Sequence, residues 1–380
     1  MFTSRRIATS GGNKFRDEHS MAFDGSNDYC WIGETTYNVD GASLSFVFWV
    51  KFTRNNAWET LIGKAGVGGA SCIMKHNDTD QIRFETDTDG TKIDFTTSTP
   101  FVSGEWNHLA FITIGDGSGV GYHNGLLMSA SSETLDDNMT ISTINNDTGN
   151  RLAGSISELA IYDKSLSASE VKTLYNGREA YDHKNGIATA NLLKWYRFGD
   201  GVLDEADNDT AKSLVMGEKL GAELWTSNAT NGDATNWGGY GDNTVTTDSG
   251  MVKGTNDGDS RGIYHYLRGA FNLSGDLTLG AIYKLQFDGK VNSGSADLYI
   301  GNAKNPSGHT FSNTSMETFV FYFSPIDPGD GSGDDTYFRI NNLGEGQIVH
   351  LDNFSLREVQ GSPGLAINMD SNDIEGDVPK

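Results

Sequence analysis

The chain has 380 residues, and its 51 acidic side chains against 28 lysines and arginines give a formal net charge of −23. This acidity excludes a general nucleic-acid-binding protein, because neutralising phosphates requires a basic surface. Forty-seven glycines, six prolines and 11% aromatic residues exclude a disordered or low-complexity chain and predict many short strands joined by tight turns.

Residues 1–18 are polar and lack the apolar run of a signal peptide. The basic residues of this segment are Arg5, Arg6, Lys14 and Arg16. Two interpretations stay open: a disordered leader, or a basic arm that docks on an acidic partner surface. No stretch of the chain approaches the roughly 18 apolar residues of a membrane span, so no membrane insertion is predicted.

Cys30 and Cys72 are the only cysteines, so no disulfide framework is predicted. We expect two buried thiols, with a disulfide between them as the alternative.

Residues 19–186 alternate with period two between Asp-Gly and Asn-Gly turn signals, a pattern typical of half-buried antiparallel strands. One short helix is predicted near 167–177. Ser167 and Glu170 have the spacing of a capping box, and Gly177 suits the C-terminal stop of that helix.

Five motifs give residues 19–186 a resemblance to the laminin-G-like, concanavalin-type jelly rolls of the pentraxin and lectin superfamily. In order, they are 21–29 (MAFDGSNDY), 44–50 (LSFVFWV), 104–110 (GEWNHLA), 122–125 (YHNG) and 152–170, which contains LAGSISELAIY and LSASE. These are core and turn residues, so the resemblance implies a fold and says little about a ligand.

Residues 221–360 resemble the jelly-roll carbohydrate-binding modules that are appended to glucanases and xylanases. The motifs are 221–223 (GAE), 231–233 (NGD), Trp237, 280–285 (GAIYKL), 317–323 (ETFVFYF) and 349–359 (VHLDNFSLREV). The predicted fold class is therefore all-β, with two antiparallel β-sandwich jelly rolls in series.

The connecting segment 187–220 and the C-terminal tail 361–380 are similar to segments beside such jelly rolls in structural proteins of tailed phages, particularly marine ones. We expect the two segments to pack together and to close the second unit onto the first.

Four aromatic residues of the second unit are candidates for carbohydrate binding: Trp237, Tyr240, Tyr264 and Tyr266. Tyr264 and Tyr266 share a strand face by the two-residue repeat. The alternative for all four is an ordinary core position. For Trp237 the core is the favoured interpretation, because similar modules bury that position.

The resemblance to these modules also implies a structural calcium ion near their first and last strands. The corresponding positions are Glu223, Asp233 and Asp352, and carboxylate oxygens suit calcium. The alternative of a solvated or turn-capping acid stays open for Asp352.

Catalysis has one candidate, the alternating acids Glu85, Asp87 and Asp89, which have the spacing of a glycosidase carboxylate pair. However, Asp89 and Gly90 form a turn signal, which predicts an exposed hairpin tip instead of a cleft. We therefore predict a protein that is not an enzyme.

The sequence favours a non-enzymatic virion structural protein of a tailed phage, serving as capsid decoration or as a fibre or tail appendage. Its partners would be other capsid or tail proteins and a host surface glycan, and the chain would form a homo-oligomer. It would assemble in the host cytoplasm and lie on the virion exterior. The alternative is a bacterial surface or secreted polysaccharide-binding protein, and a glycoside hydrolase is the third hypothesis.

Overall fold

The computed structural model describes most of the chain, with gaps between segments. The described residues are 17–53, 58–66, 71–75, 80–86, 91–145, 148–198, 215–217, 219–225, 234, 236–258, 262–267, 277–304, 309–326, 336–369 and 372–379. In them the fold is all-β, with one short α-helix, as predicted.

The strands of the first half of the chain are β1 Ser20–Asp24, β2 Tyr29–Tyr37, β3 Ser43–Phe52, β4 Glu59–Gly63, β5 Cys72–Lys75, β6 Gln81–Glu85, β7 Lys92–Thr96, β8 Trp106–Ile114, β9 Gly119–His123, β10 Leu126–Leu127, β11 Ser129–Ala130, β12 Met139–Ile144, β13 Ala153–Tyr162, β14 Leu192–Tyr196 and β15 Val215–Met216. Helix α1, Ala168–Tyr175, follows β13.

The strands of the second half are β16 Lys219–Glu223, β17 Trp237–Gly239, β18 Thr244–Asp248, β19 Met251–Thr255, β20 Ile263–Tyr266, β21 Ile282–Val291, β22 Ala296–Gly301, β23 Ala303–Lys304, β24 His309–Phe311, β25 Glu317–Pro325, β26 Tyr337–Asn341, β27 Ile348–Gln360, β28 Gly364–Ile367 and β29 Ile374–Glu375.

The first sandwich consists of two antiparallel sheets. Sheet 1 has eight strands in the order β10-β9-β8-β3-β13-β1-β29, with β14 also paired to β13. Sheet 2 has nine strands in the order β11-β7-β6-β5-β4-β12-β2-β28-β15. Phenylalanine, leucine and isoleucine side chains from both sheets fill the core between them, as the period-two pattern predicts.

Helix α1 covers part of the outer face of sheet 1, which explains why the central strands β3 and β13 are buried on both faces. Val171 and Leu174 of the helix pack on this face together with Trp195. The predicted capping box is present: the Ser167 hydroxyl accepts a hydrogen bond from the Glu170 amide, and the Glu170 carboxylate accepts one from the Ser167 amide. The predicted helix is confirmed.

The segments on either side of the second unit supply strands to the first sandwich. From 187–220, β14 pairs with β13, and β15 pairs with β28. From 361–380, β28 pairs with β2 in sheet 2, and β29 pairs with β1 in sheet 1. The second sandwich is therefore inserted, in chain order, between two neighbouring strands of sheet 2.

The second sandwich also has two antiparallel sheets. Sheet 3 has seven strands in the order β18-β19-β27-β21-β25-β23, with β16 also paired to β27. Sheet 4 has five strands in the order β17-β20-β26-β22-β24. Aromatic rings from both sheets meet in the core, where Phe287 and Phe354 stack with ring centroids 5.5 Å apart and Phe338 lies edge-on to each.

The two sandwiches meet in a small apolar interface. Trp31 of sheet 2 is buried there with Ile282 and Val359 of sheet 3, and its indole N–H donates to the Ser324 hydroxyl at 2.9 Å. These contacts hold the two sandwiches together because they combine apolar burial with a buried hydrogen bond.

Both cysteines are buried and free, so the expectation of two thiols is confirmed and a disulfide between Cys30 and Cys72 is excluded. Burial raises the pKa of each thiol, because the thiolate would lose its hydration. Within the described residues, no helix has the length and apolar character needed to cross a membrane.

Candidate functional site

The outer face of sheet 4 carries a cluster of tyrosines. Strands β20, β22 and β26 alternate, apart from the buried Gly301 at the end of β22, so that one set of side chains enters the core while the other set points away from it. Ile263, His265, Phe338 and Ile340 face the core. The opposite face carries Tyr264, Tyr266, Tyr299, Tyr337 and Arg339.

Strand pairing brings these side chains into two adjacent rows. Tyr264 lies opposite Arg339, which in turn lies opposite Tyr299. In the next row, Tyr266 lies opposite Tyr337. We call Tyr240, Tyr264, Tyr266, Tyr299, Tyr337 and Arg339 the tyrosine platform. Two rows over four strands correspond to roughly 7 Å by 14 Å.

Two glycines let rings of the platform lie along the sheet. A Cβ atom on Gly238 would lie 2.4 Å from the Tyr264 ring, and one on Gly301 would lie 2.1 Å from the Tyr337 ring. Each ring therefore occupies the space above a glycine on the neighbouring strand. Any larger residue at either glycine would push the ring away from the sheet.

The rings of the platform have two orientations. Those of Tyr264 and Tyr337 lie along the sheet, and that of Tyr266 stands upright against them. Tyr266 is edge-on to Tyr264, at an interplanar angle of 74°, and edge-on to Tyr337, at 79°. Tyr240 lies beside Tyr264, with ring centroids 4.6 Å apart and ring planes tilted by 46°. Tyr266 is 41% exposed and Tyr299 is 42% exposed, so the platform presents aromatic surface to solvent.

Arg339 lies among the platform tyrosines. Its guanidinium carbon is 4.8 Å from the ring centroid of Tyr299, 5.4 Å from that of Tyr240 and 5.5 Å from that of Tyr337. These cation–π contacts position the guanidinium. Its Nε atom is buried and has no hydrogen-bond partner among the described residues.

Polar groups border the platform at one end. Asp297 lies two residues before Tyr299 on the same face and accepts hydrogen bonds from Thr310 and Asn342. Asn341, opposite Asp297, has a buried amide oxygen with no partner among the described residues. The border can therefore exchange hydrogen bonds with a polar ligand.

Three of the four predicted carbohydrate-binding residues, Tyr240, Tyr264 and Tyr266, come together in the platform. Trp237 lies in the core instead, where it is 8% exposed and packs against His265 and Phe338. It faces inward because it lies opposite the buried His265 in the β17–β20 pairing. This position agrees with the core interpretation of Trp237.

The predicted calcium ligands do not form a cluster in the described residues. The Glu223 carboxylate accepts hydrogen bonds from the amides of Trp225 (3.0 Å) and Leu356 (2.7 Å), and it pairs with Arg357. Burial alone would raise the pKa of Glu223, but these bonds and one from Ser355 hold the pKa below its usual value.

Asp352 has one buried carboxylate oxygen with no partner among the described residues, and Asp233 lies outside those residues. No group of three or more potential metal ligands occurs in the described part of the chain. Calcium binding stays a prediction.

The predicted basic arm lies outside the described residues, with its residues Arg5, Arg6, Lys14 and Arg16. Two of the three candidate catalytic acids, Asp87 and Asp89, also lie outside them. Glu85 lies at the end of β6, a half-buried strand of sheet 2.

Three platform residues, Tyr299, Tyr337 and Arg339, were not predicted from the sequence. The signal is the alternation in DLYIG at 297–301 and in YFRIN at 337–341, where Tyr299 follows the buried Leu298 and where Tyr337 and Arg339 flank the buried Phe338. Alternation shows which side chains share a face of one strand, but it does not show which strands lie side by side.

Comparison with known proteins gives one family match, and no curated protein matches the chain. A pentraxin from Limulus polyphemus is 13% identical, over 45% of this chain and 85% of its own, with a TM-score of 0.35. A putative carbohydrate-binding protein from Bacteroides ovatus is 14% identical, over 48% of this chain and 52% of its own, with a TM-score of 0.36.

A xylan-binding domain from Paenibacillus barcinonensis is 13% identical, over 38% of this chain and 97% of its own, with a TM-score of 0.28. At such low scores, none of these structures assigns a ligand to this chain. The family match is more specific: residues 24–172 match the laminin-G-type model of the concanavalin A-like lectin and glucanase superfamily, which confirms the resemblance predicted for the first sandwich.

Proposed function

We propose that this chain is a non-enzymatic carbohydrate-binding protein whose glycan site is the tyrosine platform. The observation that carries the proposal is the arrangement of Tyr264 and Tyr337, whose rings lie along the sheet above Gly238 and Gly301. Sugar rings have apolar faces that stack on aromatic faces, and a preformed aromatic surface loses little entropy on binding.

The border of the platform supplies the polar half of sugar recognition. The Asp297 carboxylate accepts hydrogen bonds, and the amide oxygen of Asn341 is an acceptor without a partner among the described residues, so both groups suit the hydroxyl groups of a sugar stacked on the neighbouring rings. Binding sites for small polar ligands typically combine such convergent polar groups with an apolar surface. The first sandwich has a lectin-type fold, which is compatible with the proposal. The fold alone does not define a ligand.

A double substitution, Tyr264→Ala with Tyr266→Ala, tests this function. We expect binding to a polysaccharide panel, measured by glycan array and affinity electrophoresis, to fall by about tenfold or more, because two aromatic contacts are lost. The control is Val320→Ala, which removes an exposed apolar side chain from sheet 3. Unchanged binding in the double variant, or no glycan binding by the native chain, would overturn the proposal.

The biological setting that we propose is the exterior of a tailed-phage virion, in capsid decoration, a fibre or a tail appendage. The support is the similarity of residues 187–220 and 361–380 to segments of such proteins. A homo-oligomer on a particle would make weak glycan contacts effective through many copies. A bacterial surface or secreted polysaccharide-binding protein is compatible with the same platform.

Antibody labelling and quantitative mass spectrometry of purified phage particles would separate these settings. Many copies per particle would indicate capsid decoration, and few copies would indicate a tail or vertex fibre. Labelling of the bacterial surface, with none on particles, would favour the bacterial protein.

A further inference from the structure

The tyrosine platform contains an arginine that forms no ion pair within the described part of the chain. No ion pair joins Arg339 to any described residue, although the three tyrosine rings around it limit the directions that its guanidinium can take. An arginine has five N–H donors in a planar fork. The Arg339 guanidinium is held in place and has no acceptor among the described residues. It is therefore suited to a ligand that supplies a hydrogen-bond acceptor.

The surroundings of Arg339 make this positive charge distinctive. The chain has a net charge of −23, yet Arg339 is the only lysine or arginine in the five strands of sheet 4. The only acid in these strands is Asp297, whose carboxylate accepts hydrogen bonds from Thr310 and Asn342. The positive charge of Arg339 is therefore confined to the platform and is not part of a larger basic surface on the strands of sheet 4.

We infer that the glycan is acidic, and that Arg339 selects it by pairing with the carboxylate of a uronic acid stacked on the neighbouring rings. This inference rests on the proposed carbohydrate-binding function. A planar carboxylate matches the guanidinium fork with two parallel hydrogen bonds, and such charge-assisted pairs are about twice as strong as neutral ones.

The negative charge of the rest of the chain does not prevent this pairing. At physiological ionic strength, exposed charges are screened beyond about 8 Å, whereas a carboxylate in contact with Arg339 is screened much less. The remaining charge slows the approach of an acidic polymer more than it weakens the local pair.

The experiment compares uronic-acid polysaccharides, including polygalacturonate and alginate, with the same polymers after chemical reduction of their carboxyl groups. Reduction keeps the linkage and removes the charge. For the native protein, we expect affinity electrophoresis to show binding that is about ten- to a hundredfold weaker for the reduced polymer. Arg339→Gln should lose the same factor on the acidic polymer and clearly less on the reduced polymer, where only its contacts with the neighbouring rings are lost.

Two further variants keep the result interpretable. Arg339→Lys retains the charge but lacks the planar fork, so we expect intermediate binding of the acidic polymer. Lys290→Gln on sheet 3 removes the same charge away from the platform and should have no effect. Circular dichroism and thermal melting of each variant would show that it folds.

The outcomes distinguish this inference from the proposed function. Equal binding to acidic and reduced polymers, or an equal loss of both in Arg339→Gln, would overturn the assignment of an acidic glycan while leaving the platform as a carbohydrate site. Binding to sulfated dextran in preference to every uronic-acid polymer would also overturn the carboxylate assignment. Absence of binding to any polysaccharide would overturn both proposals.

Discussion

The ring of Tyr337 lies directly over Gly301 on the neighbouring strand, where a Cβ atom would come within 2.1 Å of the ring. These two residues face each other across the β22–β26 pairing. The glycine is therefore part of the candidate site, because the absence of its side chain determines where an aromatic ring can lie.

Gly301→Ala is expected to tilt Tyr337 away from the sheet and to weaken glycan binding by about tenfold, the effect of losing one aromatic contact. The backbone of Gly301 does not have a positive φ, so alanine causes no backbone strain there. Gly149→Ala is the control, since its Cβ would meet no atom within 4 Å. Affinity electrophoresis measures the effect, and equal binding by both variants would contradict the role of Gly301.

Gly33→Ala is expected to weaken the contact between the two sandwiches. A Cβ atom on Gly33 would lie 2.8 Å from the carbonyl oxygen of Gly280, at the point where the two backbones meet. Gly33 has φ +74°, so the control is Gly66→Ala, at φ +78° with no atom within 4 Å of its Cβ. Both variants lose about 1 kcal/mol to backbone strain.

Only Gly33→Ala adds the clash. In differential scanning calorimetry, we expect this variant to split the unfolding of the two sandwiches into separate transitions, while Gly66→Ala keeps the native profile at a lower melting temperature. Identical profiles for the two variants would show that the Gly33–Gly280 approach does not couple the sandwiches.

Acid is expected to destabilise the protein through its buried histidines. Burial lowers the pKa of His108 and His183 to about 3, and the pKa of His123 and His265 to about 4. As the pH falls below the ordinary histidine pKa of 6.5, the unfolded chain gains protons that the folded chain cannot take up. The free energy of unfolding therefore falls between about pH 6.5 and pH 3.

His108→Gln should reduce this slope by up to about 1.4 kcal/mol per pH unit, since one buried titrating group is removed. His309→Gln, at an exposed position, is the matched control. Urea unfolding at a series of pH values measures the slope, and an equal slope in both variants would contradict the assignment to His108.

Cys30 and Cys72 are expected to resist thiol reagents in the folded protein. Both side chains are buried, and burial raises the pKa of each thiol, so little reactive thiolate forms. Titration with a chromogenic disulfide reagent should detect two thiols only after denaturation. Rapid labelling of the native protein would show that one of these positions opens to solvent.

Much of the fold follows from local patterns in the sequence. Period-two alternation predicts strands because it buries one face of each, and Ser167 with Glu170 predicts the start of helix α1 because the two side chains satisfy amide groups there. The five motifs of residues 19–186 likewise predict the concanavalin-type sandwich that the family match confirms.

Local patterns do not predict which strands pair. The segments 187–220 and 361–380 show no local sign that β28 lies between β2 and β15, since this position depends on contacts between residues far apart in sequence. The arrangement places the second sandwich between strands of the first.

For the candidate site, the sequence alone determined that Tyr264 and Tyr266 share one face, because neighbouring side chains of a strand point in opposite directions. Only the tertiary structure decided that Tyr299, Tyr337 and Arg339 join them, since register across three strands depends on the packing of the whole core. The acidic composition predicted that the chain does not bind nucleic acid, whereas only the tertiary structure placed Arg339 among the platform tyrosines.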